Sequence, residues 1–302
     1  KLWQIVGGGS PVEVGNIPAE VNGMAKANNA TDLLVTNFGS NVITQVNSAD
    51  ASVTANFVVI LDGEPFTLNN GDFTTGCADG GDIEVCENYK YYYLSNTSPD
   101  APNGTVFEAS ISGNEVTLSQ KFSAGFNAHL AVNSETGDFY VIKSDGSEIR
   151  TYDQDGGLLI TSAIEGLNST YAMAFDPADS QVYVGSANAN KVYKLDPLTG
   201  AYSVFANNVP VNGGDIIVSG DQVLLIERGN GVSQLHNITS GDDVFVANLI
   251  DNINGATGTA DGRLIVAQGN SNNFWIYNTD GSGEQELVAL DPEGFPFELV
   301  NG

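Results

Sequence analysis

A strand–turn–strand unit recurs along the whole chain, and that recurrence limits the fold more than any other feature of the sequence. The clearest copy is residues 32–46, DLLVTNFGSNVITQV. Residues 33–36 are a β-favouring run. Asn37-Phe38-Gly39-Ser40-Asn41 is turn chemistry, because Gly and Asn tolerate positive φ. Residues 42–46 then resume an alternating strand. Similar groups return every ~40 to 46 residues, the spacing of repeat units that each form one small sheet and must stack on their neighbours to bury it. Segments with helical periodicity are absent, and Gly, Asn and Asp punctuate nearly every gap.

The units open at Asn22-Gly23-Met24-Ala25, Gly81-Asp82-Ile83, Asn127-Ala128-His129-Leu130, Tyr171-Ala172-Met173-Ala174-Phe175, Gly214-Asp215-Ile216-Ile217-Val218 and Asn254-Gly255-Ala256. Each opening is followed by three further strand-like runs, so the expected fold is all-β: a β-propeller of four-stranded antiparallel blades, six or seven in number, occupying residues 1–302 as a single domain. The openings read as the inner strands that line the axis. Residues 62–80 read as the one long irregular insertion, and residues 96–104 as a turn-rich protrusion. Residues 2–6 and 12–16 look like the outer strands of a blade without its inner pair, and FPFELVNG at 295–302 matches EPFTLNNG at 64–71. Lys1 leads straight into strand-like sequence, which fits a removed signal peptide or a start inside a longer protein. The ends fit a ring closed by pairing of the terminal strands, or a piece of a longer tandem-repeat assembly; the ring is the expectation.

The block Val35-Thr36-Asn37-Phe38-Gly39-Ser40-Asn41 resembles the YVTN repeat of β-propeller surface proteins, with a fainter likeness at residues 183–195. A weaker resemblance, in position and residue type only, runs to the NHL and SMP-30-like propellers. The YVTN resemblance implies a secreted or cell-surface scaffold, an interaction module whose partner is a protein or a glycan. The SMP-30 resemblance implies the alternative, a Ca²⁺-dependent lactonase-like hydrolase with its site at the mouth of the central channel. There the cation would polarise a carbonyl as a Lewis acid.

Composition narrows the partners. Ten Lys and Arg stand against 37 Asp and Glu, a formal net charge of -27. That balance argues against nucleic acid and against charge-driven binding to an anionic membrane. No apolar run reaches the roughly 18 to 20 residues that span a bilayer as a helix. Cys77 and Cys86 are the only cysteines, and without clustered His they make no zinc site. A disulfide tethering the insertion is expected, with two unrelated buried thiols as the other reading. Sequons at Asn29, Asn96, Asn103, Asn168 and Asn237 are candidates for N-glycosylation, about as many as chance would give in so Asn-, Ser- and Thr-rich a chain.

Aligning the openings sets Gly23, Asp82, His129, Ala172, Asp215 and Gly255 at one level, with Asn22 and Asn254 beside them. Asp82, Asp215, Asn22 and Asn254 are therefore the candidate metal ligands, since hard cations such as Ca²⁺ take oxygen ligands. His129 is the candidate general base if the protein is an enzyme. The plainer reading is that Asp82 and Asp215 satisfy turn backbone after glycine. His236, on an outer-type strand, is expected at the surface. Asp153-Gln154-Asp155-Gly156-Gly157 starts like an EF-hand loop but lacks its downstream Glu, so it reads as a hairpin turn. Tyr91, Tyr92, Tyr93, Trp3 and Trp275 are expected as half-buried packing between blades rather than as a sugar platform.

Overall fold

The computed structural model of the chain describes residues 2–4, 12–15, 21–27, 32–37, 39–47, 53–69, 73–77, 89–96, 101–133, 135–211, 215–228, 231–251, 253–258, 263–268 and 273–288. Every regular element among them is a β-strand. A hairpin of β1 (Leu2–Gln4) and β2 (Val12–Gly15) precedes the first blade. That blade holds β3 (Val21–Lys26), β4 (Asp32–Asn37), β5 (Val42–Asn47) and β6 (Val53–Leu61), with the two-residue β7 (Glu64–Pro65) folded back on β6. The second holds β8 (Phe73–Cys77), β9 (Tyr89–Ser95), β10 (Thr105–Ser112) and β11 (Glu115–Ser123). The third holds β12 (Ala128–Val132), β13 (Phe139–Lys143), β14 (Ile149–Tyr152) and β15 (Leu158–Ser162). The fourth holds β16 (Thr170–Asp176), β17 (Gln181–Ser186), β18 (Lys191–Leu195) and β19 (Tyr202–Asn207). The fifth holds β20 (Asp215–Ser219), β21 (Gln222–Glu227), β22 (Ser233–Asn237) and β23 (Val244–Leu249). The last holds β24 (Ile253–Gly258), β25 (Arg263–Gln268), β26 (Asn273–Asn278) and β27 (Gln285–Val288). Within each blade the strands pair antiparallel in chain order.

The core is a series of slabs between blades. In β13, Phe139 and Val141 join Tyr92, Leu94, Val106 and Phe122 of the second blade. The alternate residues Tyr140 and Ile142 join Val182, Val184 and Tyr193 of the fourth. Period-two alternation therefore buries both faces of a middle strand, which is why FYVI reads as an unbroken apolar run. Aromatic rings pack within the slab: Phe122 stacks on Tyr152 at 3.9 Å between centroids, and Tyr92 meets Phe139 edge-on at 4.7 Å. Inner strands neighbour one another in the order β3, β8, β12, β16, β20, β24, and β24 lies beside β3. β1 lies beside β27, with no paired register between them among the described residues.

Outer strands are fastened in two ways. In the third blade, the turn between the third and fourth strands carries Gly156 (φ +86), and in the fifth Gly241 (φ +85). A Cβ at either would sit 2.9 Å from a carbonyl oxygen of the preceding blade, that of Lys121 or Phe205. Gly200 and Gly281 occupy the same turn of the fourth and last blades, against Ser162 and Ala247. The positive φ and the missing side chain together let each turn press on its neighbour. The first two blades use a different device. β6 continues past β5 and pairs parallel with β11, from Val58↔Glu115 to Leu61↔Leu118, which fuses both blades into one nine-stranded sheet.

Two expectations need correction here. The second blade was expected to open at residues 81–83, which lie outside the described residues; the strand in the inner place is β8, pairing Phe73↔Tyr93 to Cys77↔Tyr89. The confusion has a plain cause, because GGDI at 80–83 repeats GGDI at 213–216, where it does open an inner strand. Nor is the segment 62–80 an irregular insertion throughout. Asp62 and Gly63 make a tight hairpin, and Phe66, Leu68 and Phe73 are buried in the slab between the first two blades. Burying a Phe or Leu side chain contributes roughly 1.5 to 3 kcal/mol, so the segment is part of the core. Cys86 lies outside the described residues, as do Asp82 and Asn29.

Candidate functional site

The face where inner strands begin was expected to hold the ligand. The structure sets His129 opposite Ile142, Asp215 opposite Ile226, Gly23 opposite Thr36 and Gly255 opposite Ala267, each one residue from the end of its second strand. The aligned level is thus real for these four blades. Asn22 and Asn254 lie within β3 and β24 at the register shifts that open those strands. Only their backbone is described. In the second blade the inner strand starts at Phe73, opposite Tyr93, which corresponds to Ile216 opposite Leu225 in the fifth.

What Asp215 does is specific. One carboxylate oxygen accepts from the amide of Ile216 at 3.0 Å, and the other accepts from the amide of Ala256 at 3.1 Å. Ala256 belongs to β24, so the carboxylate spans two neighbouring inner strands. The same job recurs around this face with other side chains. Asn96 donates to the carbonyl of Ala128 at 2.8 Å and accepts from its amide at 2.9 Å, joining the second blade to the third. Thr170 donates its hydroxyl to the carbonyl of Lys143 at 3.1 Å, joining the fourth to the third. Short polar side chains suit this role, because the backbone amides at strand starts have no sheet partner on that side.

Electrostatics at this face follow from the turns. The Asp145 carboxyl is held down to about 2, first by the hydroxyl and then by the amide of Ser147, with Lys143 adding to the effect. Lys143 pairs with Asp145 at 2.9 Å. His129 is half-buried on β12. Among the described residues no three His, Cys, Asp or Glu side chains converge as a metal centre would need.

The sequence misplaced His236. Its side chain is only 6% exposed; Nδ1 lies 2.7 Å from the Asp243 carboxylate, and Nε2 lies 3.8 Å from that of Glu227 without a hydrogen bond. Phe245 closes over the ring edge-on at 5.9 Å. An acid preceding β23 and an acid ending β21 flank a histidine on β22 between them, a pairing that crosses three strands and leaves no mark in local sequence. Tyr91, Tyr92 and Tyr93 are packed more deeply than expected, all three buried. Trp275 is partly exposed. The Asp153 turn is a hairpin connection as expected, with Gly156 donating to the carbonyl of Asp153 at 2.9 Å. Of the sequons, Asn103 and Asn168 are exposed, while Asn96 spends its amide on Ala128.

No protein-family model and no curated protein sequence matches the chain. Solved structures do. A chain of a nidogen/laminin complex superposes with a TM-score of 0.62 at 14% identity, over 86% of this chain and 94% of that one. A streptogramin B lyase superposes with a TM-score of 0.57 at 13% identity, over 93% of this chain and 88% of that one. Together with the four-stranded antiparallel sheets arranged as blades, these likenesses define the class: the protein is a β-propeller.

Proposed function

We propose that the chain is an extracellular or cell-surface binding module, a β-propeller scaffold that presents its surface to a protein or glycan partner. The observation that carries this reading is the use made of Asp215. Of the carboxylates expected to hold a cation at the axial face, it is the one described, and its oxygens serve the amides of Ile216 and Ala256. A residue that bonds adjacent inner strands supports a frame. The acidic balance, 37 Asp and Glu against ten Lys and Arg, favours partners with cationic surface and disfavours nucleic acid. Among the described residues there is no helix long and apolar enough to cross a membrane. The ring in this proposal has six blades, a count supported by the neighbour order of the inner strands and by β24 lying beside β3. A Cys77–Cys86 disulfide and glycans at exposed sequons belong to the same proposal.

The test is binding and catalysis on one preparation. Labelled protein should bind saturably to the cell surface or extracellular matrix of its source and be displaced by unlabelled protein. It should not hydrolyse a panel of lactones, with or without added calcium. Hydrolysis that needs calcium and stops on chelation overturns the proposal in favour of the lactonase-like enzyme.

A further inference from the structure

We infer that His236 is a pH-responsive clamp on the outer edge of the fifth blade. When its ring takes up a proton, it ties Glu227 to Asp243 and so fastens β21, β22 and the start of β23 to one another. His236 stands on β22, opposite Leu225 of β21 and Phe245 of β23. Nδ1 lies 2.7 Å from the Asp243 carboxylate, and Nε2 lies 3.8 Å from that of Glu227. An ionised carboxylate only accepts hydrogen bonds, so in the neutral ring Nδ1 carries the proton for Asp243 and Nε2 presents a bare lone pair. That nitrogen is buried and has no hydrogen-bond partner among the described residues. A lone pair shut in beside a carboxylate is unfavourable, and one proton between them turns it into a charge-assisted bond.

A proton suits this gap. Bonds of the N⁺–H···O⁻ kind are about 2.7 to 2.9 Å long, so the Glu227 oxygen need approach by only about 1 Å. The Glu227 side chain is 25% exposed, which leaves it room to move. Among the described residues no three His, Cys, Asp or Glu side chains converge as a metal centre needs. Of the strands packed on the ring, β21 brings Glu227, followed in the chain by Arg228, and β23 brings no titratable residue but is preceded by Asp242 and Asp243. On the fourth blade, Lys194 is paired with Asp179 over the Tyr183 ring, and the Tyr202 hydroxyl accepts from the amide of Glu165. Phe245, 54% exposed, meets the imidazole edge-on at 5.9 Å, so the same proton firms the seat of an exposed aromatic side chain.

The experiment measures amide hydrogen exchange of the intact protein from pH about 8 to about 5, the range in which histidine changes charge. Protection factors are corrected for the intrinsic pH dependence of exchange. Acid relieves the self-repulsion of a chain with net charge -27 in every variant, so the readout is the difference between variants. In the parent, protection of the β23 amides should rise about tenfold or more at the acid end, beyond any rise in the fourth blade, and be lost as pH increases. Glu227→Gln keeps the ring and its Asp243 bond, but its amide can serve Nε2 in either charge state, so this variant should lack the extra rise. His236→Gln should lack it too. His129→Gln, which removes the other histidine, should keep it and should show one slowly exchanging Nε2–H signal in acid. The inference is overturned if β23 gains no protection in the parent, if Glu227→Gln gains as much as the parent does, or if His129→Gln abolishes the gain.

Discussion

Replacing Gly156 by Ala tests how the blades are locked together. Gly156 has φ +86 in the turn before β15, and a Cβ there would meet the Lys121 carbonyl oxygen at 2.9 Å and the Phe122 ring at 3.1 Å, both on the outer strand of the second blade. Gly63 offers the matching control, with the same φ of +86 and nothing within 4 Å of the added carbon. The left-handed backbone should cost either alanine about 1 to 2 kcal/mol. Only Gly156→Ala also forces two blades apart, and an overpacked contact of this kind costs about 1 to 3 kcal/mol more. The expected losses are therefore about 1 to 2 kcal/mol for Gly63→Ala and about 2 to 5 kcal/mol for Gly156→Ala. Equilibrium denaturation in guanidinium chloride measures both from the shift in midpoint at constant slope. Equal losses at the two sites would refute the reasoning, because the neighbouring blade would then play no part.

Three further outcomes follow from particular groups. Asp215→Ala should destabilise the fold by about 1.5 to 3 kcal/mol, since it strips a charged acceptor from the Ala256 amide; a loss under half of the lower figure in the same denaturation assay would mean the span between β20 and β24 carries nothing. Burial pushes the Asp176 carboxyl above its usual range, with Asp179 adding to the rise, so its contribution to stability is complete below the unfolded value and is lost as pH rises through the folded one. Asp176→Asn should accordingly gain on the parent as pH is raised from acid to neutral, and unfolding curves at a series of pH values showing a constant difference would contradict this. The proposed Cys77–Cys86 disulfide should add about 2 to 3 kcal/mol by closing a short loop; mass spectrometry finding two free thiols in native protein would remove it.

The sequence disclosed the strands and their grouping because blade architecture writes itself locally. Residues 181–205 carry a strand, a turn, a strand, the Asp196 to Gly200 turn and a strand, and the structure has β17, β18 and β19 there. The second blade was misread because Gly-Gly-Asp before a β-branched residue is turn chemistry wherever it falls, and residues 80–83 carry it as fully as 213–216 do. Phe66 and Leu68 looked like loop because their neighbours are polar, yet a short hairpin aims both into the first slab. Contacts between distant strands left no local trace. The pairing of β6 with β11 joins residues 57 positions apart at Val58↔Glu115, and the flanking of His236 by Glu227 and Asp243 depends on strand order across a sheet. At the axial face, residue type was legible and use was not: an aspartate after glycine fits a ligand and a backbone bond equally until Ala256 is seen beside it.

The most direct measurement is thermal unfolding of metal-stripped protein with calcium added and with chelator, run on the parent and on Asp215→Asn. Two carboxylates gathered on a cation would gain stability from it, whereas a carboxylate bonded to the amides of Ile216 and Ala256 has no need of one. The account predicts that the parent melts at the same temperature in calcium and in chelator, and that Asp215→Asn melts slightly lower in both. A parent stabilised by calcium, with that stabilisation abolished in Asp215→Asn, would contradict it.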